Sequence, residues 1–201
     1  MNRLIIFFLF SISIVGCKNK TYNEEQDKII DGDFYKNNDA ADLNKNGIDL
    51  SKSGDLKKGR ESFLKALEIE PNNPTTLSNL GLNYYLTEDY DNAIKYYKES
   101  YKTSDSTYHI AAVNLGLTYY YNEEFDKGIE ITNYVINNAQ HDEVLSSAYV
   151  HRALNFLGNN RCDDAQADLN YIIKNFKREN NVEYHINDLK KRIKNCVQHR
   201  L

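Results

Sequence analysis

The segment Asn79-Leu80-Gly81-Leu82-Asn83-Tyr84-Tyr85 nearly returns as Asn114-Leu115-Gly116-Leu117-Thr118-Tyr119-Tyr120. The two glycines stand 35 residues apart, Gly47 precedes the first by 34, and Ala153 follows the second by 37 in a similar frame. Self-similarity at this period restricts the fold severely. A unit of this length cannot bury its apolar face alone and must stack on its neighbours. Within each unit the spacing is helical. Three residues after the first small residue come Leu50, Tyr84, Tyr119 and Phe156, and twelve after it comes a second small residue, Gly59, Ala93, Gly128 or Ala165. Four further on lie Phe63, Tyr97, Thr132 and Leu169, and three beyond those Ala66, Ser100, Val135 and Ile172. The pattern describes two antiparallel helices. The small positions let the backbones approach, and the large ones fill the space beside them. Pro71 stops the second helix of the first unit.

On these residues the chain resembles the tetratricopeptide repeat family, over residues 39–178. The resemblance implies an all-α fold: a right-handed superhelical solenoid of about four helical hairpins, over about 40–73, 74–107, 108–143 and 144–178, followed by a capping helix in 179–201. Thr132 and Val135 depart from the family's aromatic and alanine, and Arg152 stands where the other units have Asn46, Leu80 or Leu115. The hairpin turns are expected at Ser53-Gly54-Asp55, Thr87-Glu88-Asp89, Asn122-Glu123-Glu124 and Gly158-Asn159-Asn160. Asp55 is placed to cap its helix, and Asp91, Asp126 and Asp163 fall in first turns, where they complement the helix dipole. In the last segment Val182, Ile186, Leu189, Ile193 and Val197 recur at helical spacing, with Lys190, Lys191, Arg192 and Lys194 on the opposite faces. That stripe is expected to cover the fourth unit, the charged faces meeting water; a basic partner-binding face ranks second.

The family's first helices line a concave groove. The matching positions here include Asn44, Leu82, Tyr85, Leu86, Val113, Leu117, Tyr120, Tyr121, Leu154 and Leu157. This set is apolar and aromatic. Ile48 takes the place of the Asn that clamps a peptide carboxylate in the chaperone-binding members, so that specificity is not expected. Three readings of the groove stand open: a peptide or partner helix lies in it, the chain's own N-terminal segment with Phe34 and Tyr35 fills it, or its residues are buried between adjacent first helices. The leading expectation is a protein-interaction scaffold; the alternative is a carrier holding an apolar small molecule or lipid in the same groove.

The first sixteen residues are of another kind. Met1-Asn2-Arg3 is followed by an apolar run from Leu4 to Val15, which has the length of a signal-peptide core and is too short for a comfortable bilayer span. The run ends Ile14-Val15-Gly16-Cys17, which resembles a bacterial lipobox. The resemblance implies removal of residues 1–16, lipid (palmitate among it) on Cys17, and a protein tethered to the cell envelope. Lys18 in place of an aspartate leans toward the outer membrane where there are two. Residues 17–38 read as a polar spacer, in which Ile29, Ile30, Phe34 and Tyr35 alternatively pack on the first helix.

The remaining chemistry is sparse. The chain has 201 residues, 41% of them hydrophobic, enough for one domain with a core. A net charge of −4 argues against nucleic-acid binding. His109, His141, His151, His185 and His199 are scattered without metal-ligand spacing, and neither a nucleophile motif nor a phosphate loop is present, so neither a cofactor nor a catalytic role is expected. Cys162 and Cys196 stand one repeat apart, 34 residues, and after export would meet an oxidising compartment. Two readings balance: a disulfide pinning the cap, or buried free thiols, because neighbouring helix axes are about 8–10 Å apart and Cys162 fills the slot of Leu56, Tyr90 and Phe125.

Overall fold

The computed structural model describes residues 35–105, 107–177 and 180–199. The leader in 1–16, Cys17 and the spacer through Phe34 lie outside the described residues. Helices α1 (Asn38–Lys52), α2 (Leu56–Ile69), α3 (Pro74–Leu86), α4 (Tyr90–Thr103), α5 (His109–Tyr121), α6 (Phe125–Asn138), α7 (Asp142–Gly158), α8 (Cys162–Asn175) and α9 (Asn180–Gln198) follow in order. Each packs against the next, and α3, α5 and α7 also pack on the first helix of the preceding hairpin. The described residues thus form an all-α solenoid of four hairpins with α9 stacked at its end. The fourth hairpin begins at Asp142, two residues before the boundary read from the sequence.

The close approach inside each hairpin comes from the paired positions. A Cβ added to Gly81 would sit 2.9 Å from the ring of Tyr97, and one on Gly116 2.5 Å from the methyl of Thr132. Real Cβ atoms do not approach so closely. Thr132 therefore does the work of the aromatic it replaces, from nearer. Phe63, Tyr97, Leu169, Ala66, Val135 and Ile172 are all buried along this seam.

The four hairpin turns share one geometry. Gly54, Glu88, Glu123 and Asn160 all have positive φ, at 91°, 59°, 60° and 55°. In each turn the following residue donates its N–H five residues back, Asp55 to Leu50, Asp89 to Tyr84, Glu124 to Tyr119 and Arg161 to Phe156, at 2.8–3.0 Å. This is the Schellman closure of a helix C-terminus. The fourth turn is one residue later than expected, Asn159-Asn160-Arg161, and Gly158 is the last residue of α7. Asparagine tolerates the left-handed region, so the turn does not need Gly158. That glycine is instead required for packing, because the Phe125 ring lies where its Cβ would be.

Residues 35–37 are seated on the first hairpin and α3. The Lys36 and Asn37 amides donate to Glu70 Oε1 at 2.7 and 2.5 Å, and the Tyr35 hydroxyl lies 2.6 Å from Thr76 Oγ1. Burial holds the Tyr35 phenol well above its ordinary pKa. Thr76 is in the first turn of α3, about 13 Å along the helix from Tyr85 at 1.5 Å per residue. Tyr35 therefore packs at the opposite end of α3 from the predicted groove tyrosines and does not fill their site.

Candidate protein-interaction surface

The last turns of α3 and α5 bring Tyr85, Leu86, Tyr120 and Tyr121 to the edge where the hairpins turn. The tight turns then place Tyr90 and Phe125, the first residues of α4 and α6, against them. The rings form one continuous cluster. Tyr85 meets Tyr90 at 5.9 Å and Tyr121 edge-on at 5.6 Å between ring centres. Tyr90 stacks on Tyr121 at 5.8 Å, Tyr120 meets Tyr121 edge-on at 5.2 Å, and Phe125 lies 6.0 Å from Tyr120. Burial, with the neighbouring phenols of Tyr121 and Tyr90 adding to it, pushes the Tyr85 hydroxyl far above its usual range. It stays neutral and is a hydrogen-bonding group only. The cap joins this cluster: Arg192 Nη1 donates to Tyr120 Oη at 3.1 Å while its Nε donates to Asp188 at 2.7 Å.

The predicted groove positions divide into three groups. Asn44, Val113 and Leu154 are buried between adjacent hairpins. Asn44 Oδ1 accepts from Asn79 Nδ2 at 3.0 Å, and the Val113 carbonyl accepts from His151 Nδ1 at 2.9 Å. Leu82, Tyr85, Leu86, Leu117, Tyr120 and Leu157 are half-buried. Tyr121 is exposed, at 46% of its surface. The face is thus more closed than a groove of free aromatics, because adjacent first helices pack tightly enough to take up each other's side chains. Three members of the cluster are not among the groove positions read from the sequence. Tyr90 and Phe125 read as packing slots shared with Leu56 and Cys162, and Arg192 as part of a solvated face. The signal for the first two was their position directly after each turn.

Cys162 and Cys196 are joined by a disulfide with 5.8 Å between their Cα atoms. Axis spacing was the wrong measure for facing residues. Each Cα lies about 2.3 Å off its axis, so axes about 10 Å apart leave roughly 5–6 Å between Cα atoms that point at each other. The bridge joins the start of α8 to the end of α9, so α9 runs parallel to α7, as the repeat pattern requires.

Within the fourth hairpin Arg152 donates to both oxygens of Asp168 at 2.9 and 2.5 Å, and across to α6 of the third it donates to Asn133 Oδ1 at 2.6 Å. Burial raises the Asp168 carboxyl above its usual range, opposed by the guanidinium. His151 is buried, and desolvation pushes its imidazole down to about 4. Among the described residues, no three His, Cys, Asp or Glu side chains converge as metal ligands. No described helix is long and apolar enough to cross a membrane.

Comparison with known proteins agrees with the geometry. Residues 39–106 match the tetratricopeptide repeat family. No curated protein matches in sequence. A tetratricopeptide repeat protein from Parabacteroides merdae superposes with a TM-score of 0.66 at 17% identity, over 84% of this chain and 70% of that one. MamA (41-end) from Desulfovibrio magneticus RS-1 superposes with a TM-score of 0.64 at 15% identity, over 82% of this chain and 93% of that one. At these identities the likeness is one of fold.

Proposed function

We propose that this chain, a tetratricopeptide repeat protein, is a lipid-anchored scaffold of the bacterial cell envelope. It engages a protein partner through the tyrosine-rich edge formed by α3–α6. The observation that carries the reading is the joined cluster of Tyr85, Tyr90, Tyr120 and Tyr121, whose outermost ring, Tyr121, is 46% exposed. Tyrosine presents a large rigid face at little entropic cost and keeps a polar tip, which suits it to interfaces. Leu82, Leu86, Leu117 and Leu157 extend the same face as half-buried apolar ground. The anchor rests on the Ile14-Val15-Gly16-Cys17 sequence, and the Cys162–Cys196 bridge supports an oxidising location.

The test is site-specific photocrosslinking in cells from position 121, with Leu64 on α2 as a control that is also exposed, at 38%. One envelope protein is expected to crosslink from 121 and not from 64, and to be lost in Tyr90→Ala protein that remains folded. Equal capture from both positions would overturn the edge as the binding surface. Retained lipid in place of a protein would make the chain a carrier. Separately, Cys17→Ser is expected to move the protein from membrane to soluble fractions; unchanged membrane association would remove the lipid anchor from the reading.

A further inference from the structure

A second surface lies at the capped end of the solenoid. Between α8 and α9 runs a cleft of about 440 Å³ whose apolar floor is Leu169, Ile173, Ile193 and Val197. Leu169 and Ile193 are buried, but Val197 is 45% exposed, a large fraction for valine on a stabilising cap. The register explains why this cleft exists. Ile173 is residue 12 of α8 (173 − 162 = 11 steps), as Tyr101 is residue 12 of α4 (101 − 90 = 11 steps). At Tyr101 that position is covered by the second helix of the following hairpin. Tyr101 meets Tyr134 of α6 edge-on at 5.8 Å and shares a cluster with Ile131 of α6. Beside α9, no helix of the described residues plays the part that α6 plays beside α5. The cleft is therefore the equivalent of the seat that α6 fills beside α4.

We propose that this seat docks an amphipathic helix of a protein partner, about four turns long, with acidic residues along its flanks. The length follows from the chain itself, whose four second helices are each 14 residues. The sign of the charge follows from the lining. Lys190 and Lys194 stand on the α9 side, and no carboxylate lines the cleft. A second copy of α9 would bring its own lysines against these two, so a symmetric pairing of caps is disfavoured by like charge. The disulfide contributes rigidity, because it fixes the end of α9 to α8 and so holds one end of the seat open before anything binds.

The experiment uses the full chain and a side-chain-stapled 14-residue peptide that copies Phe125–Asn138, the helix filling the equivalent interior seat. One version carries glutamates on its outward flanks and one carries lysines. Fluorescence anisotropy at low salt is expected to show the glutamate version binding at least tenfold tighter. Val197→Asp is expected to weaken it at least tenfold, and Lys190→Glu/Lys194→Glu to reverse the preference between peptides. All three side chains are exposed, and circular dichroism checks that the variants remain folded; Ile173→Asp is a second, independent block of the floor. Absence of binding, equal binding of the two peptides, or binding indifferent to both Val197→Asp and Ile173→Asp overturns the proposal. So does a wild-type dimer in sedimentation that Val197→Asp converts to monomer, which would assign the cleft to a second copy.

Discussion

Arg60 and Arg152 both tie neighbouring hairpins together, and they do it differently. Arg60 reaches from α2 to α3, donating to Asn83 Oδ1 at 2.9 Å and Thr87 Oγ1 at 2.8 Å, with its guanidinium 4.0 Å over the Tyr84 ring. Its partners are neutral and the site is at an edge. Arg152 instead clamps Asp168, a carboxylate only 3% exposed, with Asn133 as a third partner. The same contrast runs through the two halves of the solenoid. In α1–α4 the helix starts are capped by side chains: Asn37, Asp55, Asn73 and Asp89 each accept from main-chain N–H groups. At the starts of α5, α6, α7 and α8 no side-chain cap bond is made. There the stacking is held by buried polar bonds, His151 to Val113 O and Asn155 Nδ2 to Gly116 O, and by a disulfide. Both halves make longer-range bonds, in the first Asn79 Nδ2 to Asn44 Oδ1, Asn83 Nδ2 to Leu56 O and Ser100 Oγ to Pro74 O, but only the first adds side-chain caps at its helix starts and only the second adds a disulfide.

The largest expected effect is on the covalent bond. The Cys162–Cys196 bridge closes a loop of 34 residues, for which the chain-entropy model gives about 4 kcal/mol. Reduction, or Cys196→Ser, is expected to lower stability by that order. In hydrogen exchange, amides of α8 and α9 should lose protection while those of α1–α4 keep theirs. A uniform loss along the chain would mean that the halves do not differ in this way. Next in size is Asp168→Ala, which leaves Arg152 half-buried without its partner and is expected to cost about 3 kcal/mol. Arg60→Ala should cost about 1 kcal/mol, since it breaks bonds to neutral groups with solvent at hand. Asp168→Leu/Arg152→Met should recover most of the first loss in thermal melts. If the double variant is no more stable than Asp168→Ala, the penalty is not that of an unpaired charge.

The same contrast governs what could be read from the residues alone. Hairpin positions, small–large pairing and the cap stripe follow from periodicity, because the apolar seam is repeated in sequence. Thr132 and Val135 depart from the family in type yet keep their places, both fully buried, and a closer approach at Gly116 takes up the smaller volume of Thr132. What periodicity does not encode is contact between side chains from different units. Arg152 stands out in the alignment of units as a mismatch, and its meaning appears only when Asp168 and Asn133 are beside it. Tyr90, Phe125 and Arg192 joined the surface cluster for the same reason: hairpin register fixes them, and the sequence shows each only as one face of its own helix. Tyr121 meets the rings of both Tyr85 and Tyr120, but how far first helices close over Asn44, Val113 and Leu154 depends on interhelical distance, which no residue pattern states.

The buried histidine gives the second half a pH dependence that the first should lack. An unfolded imidazole titrates near 6.5, and in the fold burial lowers His151 to about 4. Between these values the unfolded chain binds the additional proton, so stability falls as pH drops from about 6.5 and levels off below about 4. The span corresponds to about 3 kcal/mol. Burial lowers His109 and His185 as well, in the same direction. Denaturant unfolding between pH 7 and 4 is expected to show a steeper loss for wild type than for His151→Gln, whose amide can still donate to Val113 O. Parallel curves would remove His151 as the source. Hydrogen exchange at pH 5 should locate the weakening in α5–α9.

The smallest effect tests the contrast most directly, because it compares one slot in two halves. Asp89 and Glu124 both precede the second helix of their hairpin. Asp89 Oδ1 accepts from the Asn92 amide at 3.2 Å, with its other oxygen taking a bond from Asn92 Nδ2 at 2.8 Å. The Glu124 carboxylate makes no cap bond to a main-chain amide and instead pairs with the side chains of Lys127 and Asn122 at the surface. Asp89→Ala is therefore expected to cost about 1 kcal/mol, the usual value of a lost N-cap. Glu124→Ala should cost only about 0.3 kcal/mol, the size of an exposed ion pair, and that cost should vanish in high salt. The Asp89 loss should persist there, since a cap bond satisfies a backbone donor and is not mainly a long-range charge effect. Equal losses at the two positions, both screened by salt, would show that the Asp89 carboxylate acts through surface charge as Glu124 does, and the division between capped and uncapped helix starts would not stand.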